Sequence, residues 1–302
     1  MNNQTTQLEI KLMNAAEKSL KNFSWLFLTN IILFFSTMIQ AQTRDTIYLW
    51  PDKVPGEKEA KHEPVQTDNT KGNVIRLTNV TNPALVVFEP VKQNDSGLGI
   101  IICPGGGYNI LAIDLEGYEI AEWLNELGYT VFVLQYRVPK KQEGALNDIQ
   151  RAIRMVRSNS SKYNINSGKI GVLGFSAGGS LCARASTRFT SDTYEKSDHI
   201  DSLSSRPDFA MLIYPAYLDK GENRNITPEL QITKETPPFF IFGTADDEYG
   251  NSPLVMTTAL RDNKIPVELH LLPGGGHGYG KRSGNIAAET WPILARKWLE
   301  GR

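Results

Sequence analysis

One short stretch of this sequence, Gly-Phe-Ser-Ala-Gly at residues 174–178, carries the residues of a nucleophile elbow. An apolar, β-branched run precedes it and small residues follow it, which predicts a strand, a sharp turn and a helix. Glycine is needed on both sides of the serine, because side chains there would crowd a strained turn. We therefore predict that Ser176 is a catalytic nucleophile, placed above a sheet edge at the positive end of the next helix.

A serine hydroxyl needs a base to remove its proton, and after an elbow of this kind the acid and then the histidine follow along the chain. Of the four histidines, His62 precedes Ser176, His199 precedes a plausible loop, and His270 alternates with leucines inside a predicted strand. His277 lies in the glycine-rich run 273–280, directly after that last strand. A histidine in such a loop can reach a serine at the same sheet edge, so we predict His277 as the base.

The orienting acid should also leave a strand at this edge. Asp246 and Asp247 both follow the apolar run that ends at Phe242. Only one of the two can be the acid that orients the histidine. The spacing of the residues along the sequence does not decide which one it is.

The developing oxyanion requires two backbone N–H donors, each of which lowers the barrier by about 3 kcal/mol. One donor is expected from Ala177, the residue after the nucleophile. The other is expected from the three glycines at 105–107, which follow a predicted strand ending at Cys103. Three consecutive glycines let the backbone approach a substrate carbonyl closely.

Buried strands alternate with amphipathic helices through most of the chain, which predicts an α/β fold with a mostly parallel central sheet and helices on both faces. Antiparallel strands are expected to open the domain. Two less regular segments, Ser191–Arg206 and Tyr217–Glu235, are expected to form a rim or cap over the site. The strands are predicted over 45–50, 73–79, 84–88, 98–103, 130–134, 169–175, 209–214, 239–242 and 267–272, and the helices over 116–127, 145–158, 177 onward, 251–261 and around 291–298.

Composition limits the class of partner. The 302 residues are 40% hydrophobic and 22% charged with a net charge of -1, so nothing favours nucleic acid or an anionic membrane surface as a partner. No H-E-x-x-H pattern or His/Asp cluster occurs in the sequence, so we predict neither a metal nor another cofactor. Oligomeric state stays open.

The first forty residues have the pattern of a secretory leader. Lys18 and Lys21 precede an apolar run over 23–35, and small Ala41 marks a cleavage site. We predict a signal peptide over 1–42 and a catalytic domain over 43–302, in a periplasmic or secreted protein without a membrane partner after cleavage. Two alternatives stay open: translation from Met13 rather than Met1, and an uncleaved anchor, for which the run is short.

The chain has two cysteines, Cys103 in a predicted core strand and Cys182 in the helix after the elbow. Two cysteines do not make a disulfide framework in a domain of this size. We expect two buried free thiols, with a disulfide as the alternative.

Taken together, these residues resemble the α/β-hydrolase superfamily, in the esterase group related to hormone-sensitive lipase and bacterial acetyl-xylan esterases. The resemblance implies that Asp247 is the acid and that Gly106, Gly107 and Ala177 form the oxyanion hole. Pro104 stands where many members have histidine, and Glu248 follows the acid where many have a Val-Pro pair. The motifs that carry the resemblance are Pro104-Gly105-Gly106-Gly107-Tyr108, Glu116-Gly117, Tyr136-Arg137, Gly174-Phe175-Ser176-Ala177-Gly178-Gly179, Arg206-Pro207-Asp208-Phe209, Thr244-Ala245-Asp246-Asp247 and Gly276-His277-Gly278.

This resemblance implies a serine esterase that acts on small esters or acetylated oligosaccharides and deacetylates xylan or related plant material. Two other hypotheses stay open. One is a serine peptidase of the prolyl-oligopeptidase type, although about 260 residues leave no room for the large extra domain of those enzymes. The other is a glycan-binding protein that kept the fold without the chemistry.

Overall fold

The computed structural model describes residues 44–94 and 96–302. The leader predicted over 1–42 lies outside these residues, whereas Arg44–Arg302 forms one compact unit. Eleven strands are present in the described part of the chain: β1 Thr46–Tyr48, β2 Val65–Gln66, β3 Arg76–Thr78, β4 Ala84–Phe88, β5 Gly99–Cys103, β6 Leu111–Ala112, β7 Thr130–Gln135, β8 Ile170–Phe175, β9 Phe209–Ile213, β10 Phe239–Thr244 and β11 Val267–Leu272. The α-helices are α1 Glu119–Glu126, α2 Gln142–Ser158, α3 Ala177–Thr187, α4 Asn251–Asp262 and α5 Ile286–Leu299.

Eight of these strands form the central sheet, in the order β1-β4-β7-β5-β8-β9-β10-β11. β4 pairs antiparallel with both β1 and β7. Every other pairing in this sheet is parallel. Strands β2, β3 and β6 make a separate small antiparallel sheet. The predicted α/β class, its mostly parallel sheet and its antiparallel opening are therefore confirmed.

Helices cover both faces of the central sheet. Along β5, Ile101 and Cys103 face one buried cluster, which includes apolar residues of α2, α3 and α4. Ile100 and Ile102 face the other cluster, which includes residues of α1 and α5. This alternation follows from the two-residue period of a strand, and it explains why β5 is apolar throughout. Both Cys103 and Cys182 are buried free thiols, as expected.

The parallel strands all point the same way, so their carboxyl ends lie at one edge of the sheet. The loops that follow β5, β8, β9, β10 and β11 leave from this edge. These loops carry the glycines at 105–107, the elbow, the segment from Tyr217, the two adjacent aspartates and His277. None of the described helices is long and apolar enough to cross a membrane.

The prediction that Ser191–Arg206 forms a rim over the site is wrong. This segment packs on α2, where Arg151 forms an ion pair of 2.6 Å with Asp198. It ends at the start of β9, where Asp208 accepts a hydrogen bond from the N–H of Ile170, the first residue of β8. Because α3 runs back across the sheet, the chain that leaves it begins near the amino edge, away from the elbow.

Candidate active site

The elbow joins β8 to α3 through a single strained residue. Ser176 has φ 51° and ψ -117°, a conformation that is costly for a residue with a side chain. A Cβ atom on Gly174 would lie 2.2 Å from the carbonyl oxygen of Gly178, and one on Gly178 would lie 2.0 Å from that of Cys103. Both flanking positions therefore require glycine, as the sequence pattern predicts.

The structure brings together the three side chains predicted to do chemistry. His277 Nε2 lies 2.7 Å from Ser176 Oγ, and His277 Nδ1 lies 2.7 Å from Asp247 Oδ2. The Asp247 side chain is 2% exposed and that of His277 is 25% exposed, so the carboxylate is covered while the imidazole faces a cavity. With its proton on Nδ1, the imidazole donates to the carboxylate and accepts from the serine hydroxyl.

The neighbouring aspartate makes different contacts. Asp246 accepts hydrogen bonds from the N–H groups of Gly276 and Gly275, at 2.9 and 3.1 Å. These donors lower the pKa of the Asp246 carboxyl. Thr244 Oγ1 donates to the Gly276 carbonyl in the same loop at 2.8 Å. Asp246 thus holds the backbone beside His277, while Asp247 holds its imidazole.

The other histidines contact neither Ser176 nor Asp247. His270 lies on the edge strand β11, where its Nε2 is 2.7 Å from Glu268. His62 lies 2.8 Å from the carbonyl oxygen of Glu63.

The glycine loop after β5 leaves backbone donors open beside the serine. Gly106 and Gly107 have φ +133° and +64°, and a Cβ on Gly106 would lie 2.2 Å from the Ile110 carbonyl oxygen. Their N–H groups have no acceptor among the described residues. Ala177 opens α3, and N–H groups in a first helical turn lack helical acceptors. Three donors therefore remain near Ser176 for the oxygen of a ligand.

A buried carboxyl group connects this glycine loop to the histidine loop. Glu116 is 3% exposed and lies in a short π-helical turn, Asp114–Tyr118. Its Oε2 accepts from the Gly105 N–H at 2.7 Å, and its Oε1 accepts from the Tyr214 hydroxyl at 2.8 Å. The same hydroxyl accepts from the Gly280 N–H at 3.0 Å. Burial raises the pKa of Glu116, although these donors oppose the shift.

In the sequence, Glu116 stands only as part of a motif that carries the family resemblance, without a predicted role at the site. The structure instead places it on the wall of the cavity that contains Ser176 and His277. One feature of the sequence could have indicated a role for Glu116 at the site. It is an acidic residue next to a glycine, at the start of an otherwise apolar helical stripe.

Comparison with known proteins relates this chain to esterases. A family model described as BD-FAE matches residues 85–213. An acetylxylan esterase of Xylanibacter ruminicola is 30% identical over 244 residues, which are 72% of this chain and 48% of that protein. Endo-1,4-beta-xylanase B of Butyrivibrio fibrisolvens is 32% identical over 205 residues, 59% of this chain and 32% of that protein. The chain thus spans half or less of the length of these two relatives.

A solved structure covers more of the chain. The crystal structure of an acetyl ester-xyloside bifunctional hydrolase from Caldicellulosiruptor lactoaceticus has a TM-score of 0.68 and 33% sequence identity. The match covers 85% of this chain and 96% of that one. The chain belongs to the esterase group of the α/β-hydrolase superfamily. An α/β-hydrolase from a Medee basin deep-sea metagenome, with a TM-score of 0.58 and 28% identity, is also similar.

In this α/β-hydrolase the serine opens into a cavity of about 570 Å³. Gly106, Gly107, His277 and Tyr249 are among the residues that line it. Tyr217 also lines the cavity, which is consistent with the prediction that Tyr217–Glu235 contributes to the rim. Within the described residues, no group of three or more His, Cys, Asp or Glu side chains is placed to hold a metal ion.

Proposed function

We propose that this chain is a serine carboxylic-ester hydrolase that removes acetyl groups from acetylated xylan or its oligosaccharides. The observation that carries the proposal is the continuous hydrogen-bonded line from Ser176 Oγ through His277 to Asp247, with both distances at 2.7 Å. The names of the acetylxylan esterase and of the acetyl ester-xyloside hydrolase support an acetylated sugar as the substrate class.

In the first half of the reaction, Ser176 Oγ attacks the acetyl carbonyl carbon while its proton moves to His277 Nε2. The carbonyl oxygen becomes negative and is stabilised by the N–H groups of Gly106, Gly107 and Ala177. Asp247 stabilises the imidazolium that forms. When the tetrahedral intermediate collapses, the C–O bond to the sugar breaks and His277 returns the proton to the sugar hydroxyl.

In the second half, His277 Nε2 takes a proton from a water molecule, and the water oxygen attacks the acetyl-enzyme carbonyl. The same three N–H groups bind the second oxyanion. Collapse breaks the bond to Ser176 Oγ, His277 Nε2 returns its proton to that oxygen, and acetic acid leaves and ionises to acetate. The route uses only groups of this chain and water, without metal or cofactor.

The proposal includes the N-terminal leader. The charged and apolar pattern of residues 1–42 supports a signal peptide, so that residues 43–302 act as the catalytic domain in the periplasm or outside the cell. A polymer such as xylan does not cross a membrane intact, which agrees with that location.

The test is acetate release from acetylated xylan, measured beside a series of p-nitrophenyl esters of increasing acyl length. We expect acetate release, a preference for short acyl chains and a loss of at least about a thousandfold in kcat for Ser176→Ala. Full activity in that variant would contradict the serine mechanism. Turnover of proline-containing aminoacyl peptides without ester hydrolysis would favour a peptidase, and glycan binding without acetate release would favour a binding protein.

A further inference from the structure

A second cavity, of about 520 Å³, lies beside the catalytic cavity. Gly107 and Tyr217 line both cavities. A Cβ atom on Gly107 would lie 3.6 Å from the Tyr217 hydroxyl oxygen, so these two residues meet at the boundary. If a molecule longer than one sugar ring binds with its ester at Ser176, its next ring can therefore extend into the second cavity.

The carboxylates of the second cavity are held in ion pairs. The Arg184 side chain is 5% exposed and pairs with Glu143 and, at 3.0 Å, with Glu229. Arg188 pairs with the same two carboxylates, at 3.7 and 2.9 Å. Lys220 adds a positive charge at the exposed rim. An anion would meet the two carboxylates and a cation would meet Arg184, so neither is favoured. The wall is otherwise rich in hydrogen-bonding groups from Gln142, Ser180 and Thr227, which suits an uncharged polyhydroxylated ligand.

Two tyrosines give this cavity an amphipathic side. The Tyr108 and Tyr217 rings lie 6.5 Å apart at 26°. Tyr108 is buried, and burial raises the pKa of its hydroxyl to about 12. Tyr217 has φ 63°, a strained conformation that persists where the surroundings enforce it. Aromatic faces pack against the C–H face of a sugar ring while polar groups bind its hydroxyls.

We propose that the second cavity is a subsite for the sugar residue adjacent to the acetylated one. This inference rests on the proposed function and adds to it a preference for oligosaccharides over single acetylated sugars. We expect an uncharged occupant, because Arg184 and Arg188 already pair with the two carboxylates of the wall and Lys220 lies at the exposed rim, where solvent screens its charge.

The kinetic test compares kcat/KM for acetylated xylobiose with that for acetylated methyl xyloside. We expect the disaccharide to be favoured by about tenfold, the value of one or two hydrogen bonds. The double variant Gln142→Ala, Lys220→Ala should bring this ratio close to one, since both side chains are exposed and line the cavity. In Lys297→Ala, an exposed lysine on α5, the ratio should stay at the wild-type value. An equal kcat/KM for the two substrates in the wild type would overturn the proposal.

A binding measurement separates this proposal from the proposed function. In Ser176→Ala protein, calorimetry should detect tighter binding of unacetylated xylobiose than of xylose. When Tyr217→Phe is added to Ser176→Ala, the tighter binding of xylobiose should remain, because the aromatic ring remains. When Tyr217→Ala is added instead, the two sugars should bind with equal affinity. If the wild type hydrolyses no acetyl ester yet binds xylobiose in this way, the proposed function fails and the subsite stands. Equal affinity for xylose and xylobiose would refute the subsite even if acetate is released.

Discussion

At the scale of single residues, two adjacent aspartates leave the same strand and make different contacts. Asp247 is 2.7 Å from His277 Nδ1, whereas Asp246 accepts from two backbone N–H groups of the histidine loop. A carboxylate bonded to an imidazole selects the tautomer of the imidazole and stabilises its charged form. A carboxylate bonded to the N–H groups of a loop only fixes the position of that loop. Removing the charge of Asp247 should therefore lower the catalytic rate more than removing the charge of Asp246.

We expect Asp247→Asn to lower kcat for p-nitrophenyl acetate by about a thousandfold or more, because an amide cannot stabilise the imidazolium. Asp246→Asn is the matched change one residue away, and we expect its effect to stay within about tenfold since it alters only loop contacts. Steady-state kinetics of the two purified variants measure both. A larger loss in Asp246→Asn than in Asp247→Asn would contradict the assignment.

The buried Glu116 carboxyl binds its proton with different strength in the folded protein and in the unfolded chain. Its pKa is raised in the folded state, so the folded protein holds this proton more tightly than the unfolded chain. The contribution of Glu116 to the stability of the wild type should therefore fall as pH rises from the ordinary glutamate range of about 4.3 through the raised folded value. Glu116→Gln lacks this titration, so its stability relative to wild type should improve over the same rise in pH, as measured by urea unfolding.

Activity gives the second readout for Glu116→Gln. One amide oxygen cannot accept from both Gly105 and Tyr214, so the glycine and histidine loops should lose their common anchor. We expect kcat to fall by about tenfold or more with a smaller change in KM. Glu126→Gln, at an exposed position on α1, is the control and should match the wild type. Unchanged kcat in Glu116→Gln would show that the anchor is not needed.

At the scale of elements, segment 191–206 is fixed to helix α2 by a buried polar cluster. Asp201 is 1% exposed and pairs with Arg151 at 2.9 Å. Burial alone would raise the pKa of Asp201, but hydrogen bonds from Ser197, Tyr194 and Arg151 lower it to about 2. The charge of Asp201 therefore stabilises the fold above the ordinary aspartate pKa of about 3.9, and this contribution is lost as pH falls toward 2.

We expect Asp201→Asn to lower the free energy of unfolding by about 2–3 kcal/mol at pH 7, because it leaves Arg151 partly unpaired in a buried place. The difference from wild type should shrink as pH falls from 5 toward 3. Urea unfolding across this range measures it. Asp192→Asn provides the control, since that side chain is 64% exposed and pairs only at 3.5 Å; a change within about 0.5 kcal/mol is expected. Equal losses in the two variants would contradict the burial argument.

At the scale of the whole molecule, the described residues form one compact unit from Arg44 onward, directly after the predicted leader. If residues 1–42 are a signal peptide, the exported protein should begin close to residue 42 and keep its full activity. Intact-mass measurement of protein recovered from the periplasm or medium tests this cleavage. A mass that includes the apolar run over 23–35 would instead support the uncleaved anchor.

The fold class and most of the catalytic candidates could be predicted from local patterns in the sequence. The alternation of apolar strands and amphipathic helices predicts the α/β class, since burial on two sheet faces imposes those periods. The glycines around Ser176 and at 105–107 were recognisable because only glycine fits a strained turn or a close backbone approach. Chain order in this fold together with the glycine-rich loop after the last strand singled out His277 among four histidines.

Contacts between distant segments decided the rest. Which of Asp246 and Asp247 meets the imidazole depends on how two loops, thirty residues apart in sequence, cross at the sheet edge. The position of Glu116 between the glycine and histidine loops, the packing of segment 191–206 on α2 and the second cavity behind Tyr217 arise in the same way. A linear sequence records which side chains exist, whereas only the packed sheet brings their loops within hydrogen-bond distance.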